Sequence, residues 1–200
     1  MKAIRELPEN YQEIYSVNLQ KDKKAATIVN VIAVVIAVAM MVVMHFVVPI
    51  VYLFDLKGGM GAYLLRFAVL LVLMVVYMVA HEWIHGVAMK YCGTKKVKYG
   101  FTGMYAFAGS DDYYNKKAYL FIALAPIVVW GVVLAIVNLL VPTSWFWIVY
   151  MLQISNISGA AGDLYVAVKF SQMPEDILIK DSGVGMTVYS AARQRRRVEL

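Results

Sequence analysis

Five consecutive residues carry the clearest chemistry in this chain: His81-Glu82-Trp83-Ile84-His85. On a helix, residues four apart share a face, so the two imidazoles project together. Two neutral imidazoles at that spacing can share one Zn²⁺, with the intervening glutamate beside the water that the metal activates. The chain has three histidines in 200 residues, and chance would supply the pattern on the order of 10⁻³ times. Histidines bonded between helices would explain the imidazoles but not the carboxylate on the same turn. A catalytic zinc normally takes three protein ligands, so one more is needed.

The elements that must position these groups follow from composition. Hydrophobic residues make up 62% of the chain and charged residues 16%, with a mean hydropathy of +0.66. A soluble domain sits nearer ~45–50% apolar and about 25% charged. That excess excludes a water-soluble enzyme and a nucleic-acid binder. The net charge of +6 is then read as topology and lipid contact. The single Cys92 excludes an intramolecular disulfide framework and a multi-cysteine zinc ribbon. The first 25 residues are polar and charged, so no cleavable signal peptide is expected.

Four apolar runs, 26–54, 62–91, 118–141 and 145–168, each reach the ~20 residues a membrane crossing needs. Pro142-Thr143-Ser144 is too short a connection for anything but a tight helical hairpin. Segments 1–25, 92–117 and 169–200 hold 5, 5 and 6 of the 19 Lys and Arg residues, while the other two connections hold only Lys57. The positive-inside rule puts both termini and the central loop in the cytoplasm. The expected fold is an all-α polytopic membrane protein with four transmembrane helices. It comprises a cytoplasmic segment 1–25, a transmembrane metalloprotease-like domain 26–168 and a basic tail 169–200. The tail ends in Arg195-Arg196-Arg197, suited to anionic lipid. The expected location is a bacterial cytoplasmic membrane, with lipid as a partner.

In the central loop, Val97, Tyr99 and Phe101 alternate with Lys98 and Gly100, and Thr102-Gly103 can turn. This reads as a short β-hairpin or, equally, as a basic loop with aromatic anchors. A hairpin would offer a free edge to an extended peptide, which makes Val97, Tyr99 and Phe101 candidate substrate-strand residues.

Within the four runs the formally charged residues are Arg66, Glu82, Lys90 and Asp163. Arg66 and Lys90 lie near opposite ends of the second run and can snorkel. Glu82 and Asp163 lie deeper, where an acid costs ~2.5–3.5 kcal/mol and needs a partner or a purpose. His81 and His85 are 10 and 6 residues from the inner end of the second run, and Asp163 is 5 from that of the fourth. At ~1.5 Å per residue all three lie roughly 8–15 Å from the cytoplasmic edge. His45 is carried toward the opposite face. Asp163 is therefore the expected third ligand, with the loop acids Asp111 and Asp112 as its competitors. Asn156, Gly159 and Asp163 fall on one helical stripe, and Asn156 is a candidate to hold substrate or its oxyanion. Pro126, at the same level, frees the carbonyl of Ile122 and can kink its helix. For Pro126 and Gly131, plain helix packing is the simpler reading.

The stretches HEWIHG, LAPIVVWG and NISGAAGD, in that order, resemble the zincin-peptidase family of bacterial membrane proteins. More distantly they are similar to the site-2 protease class of intramembrane metalloproteases. The resemblance implies His81, His85 and Asp163 as zinc ligands and Glu82 as the catalytic glutamate. Site-2 proteases usually carry a proline in the Asn-to-Asp segment and end it in Asp-Gly. This chain has Gly159 and Gly162 and continues Asp163-Leu164. The expected function is a membrane-embedded zinc metallohydrolase holding one Zn²⁺ per chain. It would be a peptidase that cleaves a membrane or membrane-adjacent peptide by Glu-assisted attack of water. A non-catalytic membrane adaptor or metal-binding regulator on the same fold is the rival. A transporter relay ranks last, because only His45 lies toward the outer face.

Overall fold

The structure, a computed structural model, describes residues 3–18, 20–103 and 105–191. The arginine run 195–197 lies outside the described residues. Three helices are long and apolar enough to cross a membrane: α1 (Lys23–His45), α2 (Gly59–Tyr91) and α3 (Lys116–Leu140). Asp22 caps α1 by accepting the Ala25 N–H at 3.0 Å, and Asn115 caps α3 through the Ala118 N–H at 2.9 Å. Valines and leucines stand exposed along α1 and α2, Val35 and Leu71 among them. Such a surface suits lipid and not water, and it marks a membrane protein.

The fourth apolar run is not one helix. It forms α4 (Thr143–Gly159) and α5 (Ala161–Ser171), separated by a one-residue turn at Ala160. Gly159 and Gly162 flank that turn, and two glycines so close weaken a helix enough for packing to break it. At 17 residues, α4 is roughly 26 Å long. It is the central helix: Trp147, Ile148 and Tyr150 are buried against α1 and against Phe67 and Leu70 of α2. Arg66 is buried, and its guanidinium donates to the carbonyl of Asp55 in the α1–α2 connection.

The all-α expectation is corrected by two sheets. The first is antiparallel with four strands in the order β1-β6-β5-β4. These are β1 (Tyr11–Val17), β4 (Tyr113–Asn115), β5 (Leu178–Asp181) and β6 (Met186–Ala191). Segments expected as an N-terminal segment, a loop and a basic tail are thus strands of one sheet. Tyr11 pairs with Ala191 and Val17 with Met186, so the first and last strands of the described residues are neighbours. The sheet holds because its inner face is apolar. Val17, Ile179 and Val188 pack with Met89 of α2, Cys92 just beyond it, Tyr119 of α3 and Phe170 of α5 in one buried cluster. The Lys116 ammonium reinforces the junction by donating to the Met173 carbonyl at 2.7 Å and to Glu175 at 2.8 Å.

The second sheet is the hairpin, β2 (Lys98–Phe101) against β3 (Ala106–Gly109), with Tyr99 opposite Ala108 and Phe101 opposite Ala106. Gly103 turns the chain with φ +88°, a conformation that favours glycine. Val97 precedes the strand. The Tyr99 ring lies on α2 at Gly86, where a Cβ would run into its hydroxyl.

Candidate metal centre

The His81 and His85 side chains leave α2 on one face, as four-residue spacing requires. The break at Ala160 sets Asp163 in the first turn of α5, where the helix dipole favours a carboxylate. The Asp163 Oδ2 lies 3.3 Å from His81 Nε2 and 3.5 Å from His85 Nε2. One ligand atom from each of the three residues falls within 4.8 Å of the others. Among the described residues this is the one such cluster. Asp111 instead pairs with Lys98 at 2.7 Å on the exposed surface. His45 accepts the Ile50 N–H at 3.1 Å at the far end of α1.

The remaining imidazole nitrogens are both engaged. His85 Nδ1 meets the Ile122 carbonyl at 2.9 Å. That carbonyl is available because Pro126, inside α3, has no N–H to give it. Pro126 therefore does more than pack. His81 Nδ1 meets the Tyr77 hydroxyl at 2.9 Å, and that hydroxyl donates to Asn156 Oδ1 at 2.9 Å. Asn156 Nδ2 donates to the Ile127 carbonyl at 3.0 Å.

This donor set fits zinc. Two imidazole nitrogens and a carboxylate are a usual triad for a catalytic zinc that keeps one position open. Oxygen partners on both Nδ1 atoms are what ligating histidines normally have.

A cavity of about 760 Å³ contains the cluster and Glu82. Its walls come from every part of the fold. Val29 and Asn30 of α1, Met78 of α2 and Gly159 at the end of α4 line one side. Tyr105 to Ala108 and the turn Gly183 to Gly185 line the other. The Ala108 backbone N–H is directed at the Glu82 carboxylate. The strand at the cavity is thus β3. The structure does not bring Val97, Tyr99 or Phe101 to it. Asn156 is fully buried with both ends of its amide bonded, so it does not face the cavity as a free substrate contact.

Three participants went unread in the sequence: Tyr77, Tyr119 and Asp181. Tyr77 had a readable signal, since it precedes His81 by four residues and shares its face. Asp181 lines the cavity on β5, accepting the Tyr119 hydroxyl at 3.0 Å and the Gly183 N–H at 2.8 Å. Burial pushes its carboxyl up to about 6, against the pull of those two hydrogen bonds. Nothing in its surrounding sequence set it apart from a turn acid.

A family model described as "Putative zincin peptidase" matches residues 73–178, more than half of the chain, and the chain belongs to that family. The match takes in His81, Glu82, His85 and Asp163. A protein of Pyrococcus woesei, "Uncharacterized 24.7 kDa protein in gap 5'region", is 32% identical over 128 residues, which cover 62% of this chain and 54% of that protein. The chain therefore spans about half the length of that relative. No solved structure matches the chain. The family description points to a zinc-dependent peptidase, and the donor set found here suits that metal.

Proposed function

We propose that the chain is a membrane-embedded zinc metallopeptidase that cleaves a membrane or membrane-adjacent peptide. The single observation that carries this reading is the convergence of two Nε2 atoms and the Asp163 carboxylate in the cavity that Glu82 lines. His81, His85 and Asp163 would hold one zinc per chain. When bound, zinc supplies Lewis acidity, polarising a scissile carbonyl and bringing the pKa of water down to about 7. Glu82 accepts the proton from water at its carboxylate and returns it to the leaving amine. The Ala108 N–H holds that carboxylate in place. Asn156 acts through Tyr77 on His81.

The substrate binds as an extended strand along β3. The ladder with β2 turns Gly109 and Phe107 toward the partner strand, so Ala106 and Ala108 face outward, the Ala108 N–H toward Glu82 and the Ala106 amide toward a bound strand. The outward Ser110 N–H already donates across to the Asp181 carbonyl at 2.7 Å. A peptide drawn from the bilayer must surrender its helical hydrogen bonds, and this edge replaces them. Four crossings, with both termini and the sheet in the cytoplasm, follow the lysines and arginines and put the site in the inner part of a cytoplasmic membrane.

The test is Glu82→Gln. Its amide is nearly isosteric but accepts no proton. Zinc content and fold should stay as in the wild type, while hydrolysis of a membrane-peptide substrate falls 10²–10⁴-fold. Near wild-type cleavage by this variant would remove Glu82 as the base. Stoichiometric zinc with no turnover in the wild type would favour the regulator reading.

A further inference from the structure

The hydrogen bonds behind His81 run in one direction, which assigns roles to residues that touch no substrate. Those roles presuppose the metal site proposed above. The Ile127 carbonyl can only accept, so the Asn156 atom facing it at 3.0 Å is the amide nitrogen. The reverse orientation would set two acceptors against each other in a buried site. Asn156 Oδ1 therefore faces Tyr77 and accepts its hydroxyl hydrogen at 2.9 Å. With that hydrogen spent, the Tyr77 oxygen is an acceptor for His81 Nδ1 at 2.9 Å. His81 Nδ1 must carry the hydrogen, which makes Nε2, on the Asp163 side at 3.3 Å, the nitrogen that a metal would take.

We infer that Tyr77 and Asn156 are positioning residues, a two-link chain that fixes the ring orientation and tautomer of His81 for a metal. The chain ends on a backbone carbonyl of α3, so it cannot swing. Tyr77 also sits between the Trp130 and His81 rings, with centroids 6.1 Å and 5.8 Å away. Its hydroxyl thus has little freedom to find another partner. Phenylalanine at 77 keeps that packing and removes the relay alone.

The experiment is zinc affinity, measured on purified full chain in detergent by competition with a chelator. Wild type, Tyr77→Phe, Asn156→Leu, the double variant and His81→Ala are compared, with the thermal midpoint of each zinc-free protein recorded. Tyr77→Phe should bind zinc 10–100-fold more weakly with its zinc-free midpoint near wild type. Asn156→Leu should weaken binding to a similar degree. The double variant should bind no more weakly than the poorer single, because both break one chain. If Tyr77→Phe does not fold, Asn156→Leu carries the comparison. Affinity within twofold of wild type in both singles, or losses that multiply in the double, overturns the inference. His81→Ala separates the two levels. If it loses zinc while Tyr77→Phe does not, the metal site stands and the relay falls. If it binds as wild type does, the metal site itself is wrong.

Discussion

Pro126→Ala tests whether a helix defect serves the metal centre or merely interrupts α3. Alanine is favoured over proline inside a helix by about 3 kcal/mol. Two terms oppose that gain here. Pro126 is buried, and losing two methylenes from a core costs up to ~1.6 kcal/mol. The new N–H also claims the Ile122 carbonyl, which His85 Nδ1 now meets at 2.9 Å. A shared or lost hydrogen bond of that kind is worth about 1 kcal/mol. The terms nearly cancel, so the zinc-free variant should unfold within about 1 kcal/mol of wild type. Zinc binding should not be neutral. With His85 no longer held by a dedicated acceptor, affinity should fall about tenfold, the low end of the effect of losing a partner behind a ligand. Denaturant titration of the zinc-free proteins gives the first quantity, and chelator competition gives the second. Unchanged zinc affinity would show that the Ile122 carbonyl does not orient His85. A large loss of stability would show that the proline is needed for the fold.

Asp163→Ala should abolish stoichiometric zinc while Asp111→Ala leaves it intact, read by metal analysis of the purified proteins; the opposite pattern removes Asp163 as a ligand. Ala106→Pro should impair cleavage with zinc content unchanged, because it deletes an outward amide on the cavity side of the hairpin. Phe101→Pro, directly opposite on the far edge, should spare cleavage; equal effects would end the strand-addition idea. In zinc-free protein the Asp181 carboxyl is raised from 3.8 to about 6, so between those values the folded chain keeps a proton the unfolded chain has released. Stability from this group falls as pH rises through that window, by about 3 kcal/mol in all. Asp181→Asn removes the dependence, so the stability of the variant relative to wild type should climb by about that amount between roughly pH 4 and pH 7. A flat difference in denaturant titrations would place the carboxyl near its ordinary value.

The His81, His85 and Asp163 cluster was legible because its signals are local or scale with depth. His81 and His85 are related by helical spacing alone. Asp163 follows from its number of residues to the charged end of its apolar run, a distance that the break at Ala160 does not disturb. Pro126 and the carbonyl it frees are related by four residues, so that link could be read without coordinates. What failed needed pairings across the chain. The β1 alternation of Tyr11, Glu13, Tyr15 and Val17 against Gln12, Ile14 and Ser16 is weak in isolation, and its partner β6 begins at Met186. Strands of three to seven residues carry too little pattern to outweigh their charged neighbours. The hairpin was readable, but which edge faces the site was not. That depends on Tyr99 packing at Gly86, a contact between a loop and a helix that alternation does not encode. Hydropathy likewise averages over a one-residue turn, so α4 and α5 merged into one run.

The unread sheet changes what the function requires of the chain. A membrane helix can deliver His81, Glu82 and His85 to one depth, but it cannot present an extended backbone edge. That edge belongs to β3, and β3 is held by the sheet. The Phe107 ring is clasped between Gly100 and Gly183, where a Cβ on either glycine would run into it. The β5–β6 turn that carries Gly183 is in turn anchored by β1, through Val17 and Met186. Val17, Met186 and Asp181 all line the cavity. The segments that charge alone marks as tails therefore form one wall of the site, and the membrane helices form the other. Under the proposed function, ligands and base come from the helix wall, where low water content sharpens every charge. The proposed place for substrate is the sheet wall, where the outward Ala106 amide would pair with an unwound peptide. Neither wall suffices alone, and the hairpin after α2 is where the two meet.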